Sequence, residues 1–299
     1  TALAFVWVLR KRPVPLWWSL VFGLIAVTAL LGWLAAGDRV PVAFILGNAI
    51  VLAIPIMFGG MAGVMSERVG VVNIAIEGQM LTGAFVAAVV GTLTGSLYVG
   101  LIAAMVAAAL VSTILAVFAV RYLVDQIIVG VVLNVLVIGV TNFLYSQWLT
   151  QDSAGSNNPG TFDIIAIPFL SDIPILGPAL FENRVTVYVA FLFIPLLWFV
   201  LFRTRLGLRA RAVGEYPMAA DTMGVNVGRT RFWWVTLGGS LAGLGGAAIT
   251  IGNVGAFGQE MTGGQGFIAL AVVILGRWHP FYMSAAALLF GFSIILRVW

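Results

Sequence analysis

Five polar side chains fall within fourteen residues of an otherwise apolar stretch: Glu67, Arg68, Asn73, Glu77 and Gln79. Carboxylates and amides at membrane depth are costly unless they pair or face a cavity. Their chemistry is hydrogen bonding and, for the carboxylates, exchange of a proton or cation. Asn73 stands four residues before Glu77, so a helix that began early would turn both to one side. The other reading is a polar loop, with Glu67 and Arg68 paired locally and Glu77 beside a helix N-terminus that favours its charge. Further amides are Asn134, Asn142 and Gln147, then Asn253, Gln259 and Gln265. Asn134 and Asn142 are eight residues apart and share roughly one helical face. Such groups either line a path for a polar solute or bond neighbouring helices, at about 0.6 kcal/mol each. Phe143, Tyr145 and Phe257 lie close to them in sequence and suit either stacking on a planar solute or packing. The one histidine, His279, lies between Trp278 and Pro280 and reads as a proton relay or a structural interface residue. The chain has no cysteine, which excludes disulfides, Cys-ligated zinc and thiol catalysis. No close Asp/Glu cluster suggests a metal, no catalytic constellation stands out, and no G-x-x-x-x-G-K-[ST] phosphate loop is present. The energy source is therefore expected on another chain or in an ion gradient.

The elements that position these groups must live in lipid. Hydrophobic residues make up 62% of the 299 and charged residues 9%, against about 25% charged in a soluble domain. Apolar runs long enough to span a bilayer occur at 15–36, 43–65, 74–93, 97–120, 127–148, 185–202, 232–251 and 281–299, with a shorter run at 267–275. The first is too long and too aromatic for a signal peptide. The last ends while still apolar, which reads as a trimmed terminus. The expectation is an all-α polytopic membrane protein with about 8–10 transmembrane helices, some broken or re-entrant, forming one permease domain over 1–299.

Arginine sets the orientation. Arg10, Lys11 and Arg12 precede the first run, and Arg203, Arg205, Arg209, Arg211, Arg229 and Arg231 crowd the loop 203–231. The positive-inside rule places both in the cytoplasm, and an even number of crossings between them agrees. The acidic, arginine-poor loop 149–184 is then extracellular. Gly239-x-x-x-Gly243, with Gly238, Gly245 and Gly246, predicts close helix packing in the run 232–251.

Within the loop 203–231, Pro217 suits a first helical turn, Met218 to Met223 are helix formers, and Gly224 is a stop. A short helix results, with Met218, Ala219, Ala220 and Met223 on show, either docking to a partner or lying on the membrane surface. The pattern Gly-Glu-x-Pro-x-Ala-Ala-x-x-x-Gly, Gly214 to Gly224, resembles the coupling-helix loop of binding-protein-dependent ABC importer permeases of the ribose, branched-chain amino acid and nucleoside class. The string Glu-Arg-x-Gly-Val-x-Asn-Ile-x-Ile-Glu-Gly, from Glu67 to Gly78, is similar to the purine-nucleoside (basic membrane protein) branch.

The resemblance implies a transmembrane subunit of an ATP-driven importer, working by alternating access in a bacterial cytoplasmic membrane. Its partners would be a second permease chain (identical or homologous), a cytoplasmic ATP-binding subunit and an extracellular or periplasmic substrate-binding protein, with no nucleic acid. This chain would bind no cofactor; ATP and Mg would sit on the partner. Glu215, Tyr216, Pro217, Met218, Ala219, Ala220, Asp221 and Met223 are the expected coupling residues. Asn73, Glu77, Gln79, Asn134, Asn142 and Asn253 are the expected pathway residues. An ion-coupled carrier using Glu77 or Glu67, or a permease for a simple sugar or branched-chain amino acid, is the alternative.

Overall fold

The computed structural model describes Ile25, Ala29 and residues 42–171, 173 and 177–298. The chain divides into two units, Thr1–Val42 and Ala43–Trp299. In the first, Ile25, Ala29 and Val42 are described, all helical; the expected span 15–36 and the basic cluster 10–12 lie outside the described residues.

In the second unit the apolar runs become helices. They are α1 (Val42–Glu67), α2 (Ile76–Thr94), α3 (Leu97–Ala116), α4 (Gln126–Leu144), a short α5 (Ser153–Ser156), α6 (Val185–Arg203), α7 (Arg205–Glu215), α8 (Pro217–Thr222), α9 (Val227–Ile249), α10 (Gln265–Leu275) and α11 (Pro280–Val298). The ends of α3, α4 and α9 widen into turns in which Tyr122, Thr150 and Gly255 donate five residues back, to Val117, Tyr145 and Thr250. Seven helices among the described residues are long and apolar enough to cross a membrane, and α10 is a shorter apolar one. The loop 149–184, read from sequence as acidic and arginine-poor, also holds a small antiparallel pair, β1 (Ile164–Ala166) with β2 (Glu182–Arg184).

Burial runs inside out relative to a water-soluble bundle. The most buried spans, those of α9 (83%) and α2 (72%), are also the least apolar, while the strongly apolar α3 and α4 are only 28% buried. Small and polar residues face the interior and hydrocarbon faces outward, as lipid solvation requires. α2, α3 and α9 pack most closely on one another, α3 turning its other face outward. A Cβ on Gly243 would stand 2.4 Å from the Ala104 carbonyl oxygen, and one on Gly239 would stand 2.2 Å from the Ser112 Cβ. The close packing expected from Gly239-x-x-x-Gly243 is present.

The connections sort to two ends. At one end, Val72 N–H donates to Gln126 Oε1 (2.7 Å), Arg231 Nε to the Val69 carbonyl (3.0 Å) and Arg68 to the Trp278 carbonyl. At the other, Phe162 N–H donates to the Ile251 carbonyl, Asn158 N–H to Thr92 Oγ1, and Arg184 to the Gly252 carbonyl. The loops 68–75 and 203–231 therefore share one end, and the loop 149–184 lies at the opposite end.

Candidate functional site

The first feature is a broken crossing. α1 ends at Glu67 in a turn whose Gly70 has φ +79°, a conformation L side chains avoid. The chain then climbs beside α4 without helical structure as far as α2. Non-helical backbone at membrane depth needs substitute partners, and the polar residues singled out from sequence supply them. Asn73 and Gln79 form a reciprocal amide pair, Asn73 Nδ2 to Gln79 Oε1 at 3.0 Å and Gln79 Nε2 to Asn73 Oδ1 at 3.2 Å. Asn134 on α4 donates to the Ile74 carbonyl and accepts from Gly78 N–H, each at 2.8 Å.

Glu77 is capped onto a different helix from the one it opens. Its Oε1 accepts from Thr262 Oγ1 (2.6 Å) and Gly264 N–H (2.9 Å), and its Oε2 from Gly266 N–H (2.6 Å). These donors form the N-terminus of α10, where free N–H groups and the helix dipole favour an anion. Eleven residues of α10 span about 16 Å, half of a bilayer core of about 30 Å. Its far end reaches the corner of Gly276, Arg277 and Trp278. α10 is thus a half-helix, and the segment before it folds back to the level of Glu77.

Asn73, Glu77, Gln79 and Asn134 are all buried and spend these bonds on the chain itself. The helix begins at Ile76, too late for Asn73 and Glu77 to share its face. Asn142 lies on the same side of α4 as Asn134 and donates to Glu260 Oε1 at 3.1 Å, while its own Oδ1 is buried with no partner among the described residues. Phe257 is buried against Phe85 and Tyr145, whereas Phe143 is exposed. Asn253 stands apart from the other amides. It is exposed and lines a cavity of about 330 Å³, with Phe44 and Asn48 of α1, Glu182 and Arg184 of β2 and Val187 of α6.

The second feature is the loop 203–231. The short helix appears as expected: Pro217 is its first residue, Met223 its C-cap, and Gly224 follows at φ +79°. Tyr216, Met218 and Met223 are exposed; Glu215, Ala219 and Asp221 are exposed too. Ala220 is the correction. It is buried at 5%, because the helix turns that face inward, so it cannot be on show with its neighbours.

The loop is anchored from its upstream arm. The Gly214 backbone lies against the turn after α1, where a Cβ on Gly214 would sit 2.2 Å from the Arg68 carbonyl oxygen. Arg68 Nε and Nη2 donate to the Trp278 carbonyl at 3.1 and 2.9 Å, and Trp278 Nε1 donates to the Glu67 carboxylate. Glu67 and Arg68 thus do not pair with each other; both hold Trp278. Arg68 and Arg211 flank the Phe202 ring, 5.6 and 5.1 Å from its centroid. Burial and then the Arg211 charge press the Arg68 guanidinium below the usual arginine range, opposed by Glu215. His279 stacks at 4.6 Å on Tyr282 and 5.2 Å on Phe202. Burial, then Arg68, lowers its pKa, which favours the neutral ring over the charged one. Sequence reasoning gave Trp278 no role, since nothing local ties it to a residue 211 positions away.

Comparison with known proteins fits this architecture. The family described as branched-chain amino acid transport system / permease component matches residues 45–298. A guanosine ABC transporter permease protein of Bacillus subtilis is 40% identical over 83% of this chain and 80% of its own length. A nucleoside ABC transporter permease protein of Lactococcus lactis is 36% identical over 85% of this chain and 82% of its own. A putative glucose ABC transporter permease protein of Haloferax volcanii is also 36% identical, over 85% and 77%. No solved structure matches. With seven apolar helices and a family match across nearly all of its described length, the chain belongs to the branched-chain amino acid transport system / permease component family and is a multi-pass membrane permease of the ABC transporter class.

Proposed function

We propose that this permease forms the translocation pathway of a nucleoside importer and is driven by a separate ATPase through α8. Permeases of this family work with an ATP-binding subunit and a substrate-binding protein. The observation that carries the reading is α8 itself. It is a short helix, fixed between Pro217 and Gly224, with Met218 and Met223 exposed. An apolar knob on a charged loop suits a groove on a partner better than water.

ATP and Mg bind the partner ATPase, and this chain carries no catalytic group and holds no cofactor. Residues 215–223 dock to the ATPase, and its opening and closing rock two permease chains between outward and inward states. The single permease domain extends over 1–299, with its N-terminus and the loop 203–231 in the cytoplasm. The cavity at Asn253 lies at the opposite end, where a binding protein would deliver the solute. From there the path runs beside Asn142 and the broken crossing of Asn73, Glu77, Gln79 and Asn134.

Nucleosides are favoured because the guanosine and nucleoside permeases match at 40% and 36%. A simple sugar is the second reading, favoured by the 36% match to the glucose permease. Competition decides between them. Uptake of labelled guanosine by vesicles holding the whole complex is expected to be suppressed by unlabelled nucleosides and untouched by glucose or leucine. Suppression by glucose alone would move the assignment to the sugar.

A further inference from the structure

The half-helix α10 is fastened to one continuous stretch of chain at both of its ends. At its C-terminal corner, Arg68 donates to the Trp278 carbonyl and Trp278 Nε1 donates to Glu67. At its N-terminus, Glu77 takes Thr262 Oγ1, Gly264 N–H and Gly266 N–H. Ala269 and Val273 close the space between, packed against Gly59 and Gly63 of α1. The same stretch is gripped by the loop 203–231: Arg231 Nε donates to the Val69 carbonyl, and Gly214 abuts Arg68.

We propose that residues 67–77 and α10 move as one rigid body, pinned by Trp278 at one end and Glu77 at the other. This body carries displacement of α8 to the membrane midplane. Glu67, Arg68, Trp278 and Glu77 are its positioning residues. The inference rests on the reading that α8 is driven by an ATPase, and adds where the stroke goes.

A displacement passes between elements only where they are held in discrete packed arrangements. α7 leads directly from α8 to the Arg68–Gly70 turn, and a load on that turn meets the Trp278 corner at once. Without the Glu77 end, α10 could pivot about that corner and leave its midplane tip behind. Without the Trp278 end, the turn could move while α10 stayed. Either loss should let the ATPase turn over without productive movement at depth.

The signature is uncoupling rather than unfolding. Trp278→Phe keeps an aromatic ring and removes the indole N–H that donates to Glu67. Arg68→Met removes the donors to the Trp278 carbonyl, and Arg68→Lys restores one. Each is assayed in proteoliposomes with the ATPase and the loaded binding protein, measuring guanosine imported per ATP hydrolysed. Trp278→Phe, Arg68→Met and Glu77→Gln are each expected to lower that ratio at least about threefold while ATP hydrolysis continues, and Arg68→Lys to recover most of it. The double variant Trp278→Phe/Glu77→Gln is expected to be no worse than the poorer single, since one freed end already breaks the body. Wild-type ratios in all singles, or singles whose losses multiply in the double, would overturn the proposal. If Arg68→Met fails to assemble, Trp278→Phe still decides. A wild-type complex that imports no solute with ATP would instead refute the ATPase-driven reading, so the two failures are distinct.

Discussion

Replacing Asn134 with Ala is expected to destabilise the permease by about 2–4 kcal/mol: about 1–3 for the buried Gly78 N–H and about 1 for the part-buried Ile74 carbonyl it orphans. Asn134 is 4% exposed and holds Ile74 and Gly78 at 2.8 Å apiece. The Gly78 N–H lies in the first turn of α2, where helices leave donors without intrahelical partners. A lower figure competes with this estimate. Interhelical hydrogen bonds in membranes average only about 0.6 kcal/mol, because the unfolded chain in lipid finds other partners. The larger value should win here, because Ile74 lies in non-helical backbone outside the helical ladder, and both groups lose their partner together. The assay is equilibrium unfolding in mixed micelles with increasing sodium dodecyl sulfate, comparing Asn134→Ala with Asn142→Ala. Asn142 has the same chemistry on the same side of α4, but its partner, Glu260, is exposed, so its loss should stay near about 0.6 kcal/mol. Equal, small losses for the two variants would refute the claim that Asn134 holds the broken crossing.

Gly246→Ala should lower the melting temperature, because the added Cβ would meet the Met80 carbonyl oxygen at 1.9 Å and the Ala84 nitrogen at 2.5 Å. Overpacking against backbone costs about 1–3 kcal/mol. Gly139→Ala, with no described atom within 4 Å of its Cβ, should hold or raise it, helix propensity adding up to about 1 kcal/mol of stability; thermal melts of both check the pair. Met218→Glu and Met223→Glu should weaken ATPase retention on size-exclusion chromatography without altering the melting temperature of the free permease, since both side chains are exposed. His279 has a folded pKa below its ordinary value of 6.5. The unfolded chain therefore takes up a proton first as pH falls, and stability present above about 6.5 declines through the window beneath it. His279→Phe should flatten that part of the stability profile, measured as melting temperature against pH.

The spans from α1 onward were legible because each is a long apolar run, and α8 because Pro217 and Gly224 punctuate it locally. The amides were legible as exceptions in hydrocarbon, and Asn134 and Asn142 do face the same side. Their partners were not legible. Glu77 meets Thr262, 185 positions away, and Arg68 meets Trp278, 210 away, and no periodicity links such pairs. For the same reason α10 read only as a shorter apolar run, with no sign that Glu77 caps it. Ala220 was misplaced because a six-residue helix is too short for its buried face to be read from pattern.

The central claim, that α8 is the contact through which an ATPase drives this pore, can be tested at one side chain. The chain has no cysteine, so Met218→Cys is a unique target for a short thiol-directed crosslinker. In the assembled complex it is expected to crosslink to the ATP-binding subunit, with a yield that changes between nucleotide-free and ATP-bound states, and crosslinking should stop guanosine uptake. An introduced thiol that stays open to water-soluble reagents in the working complex, with uptake sustained by an ion gradient in the absence of ATP, would contradict the account.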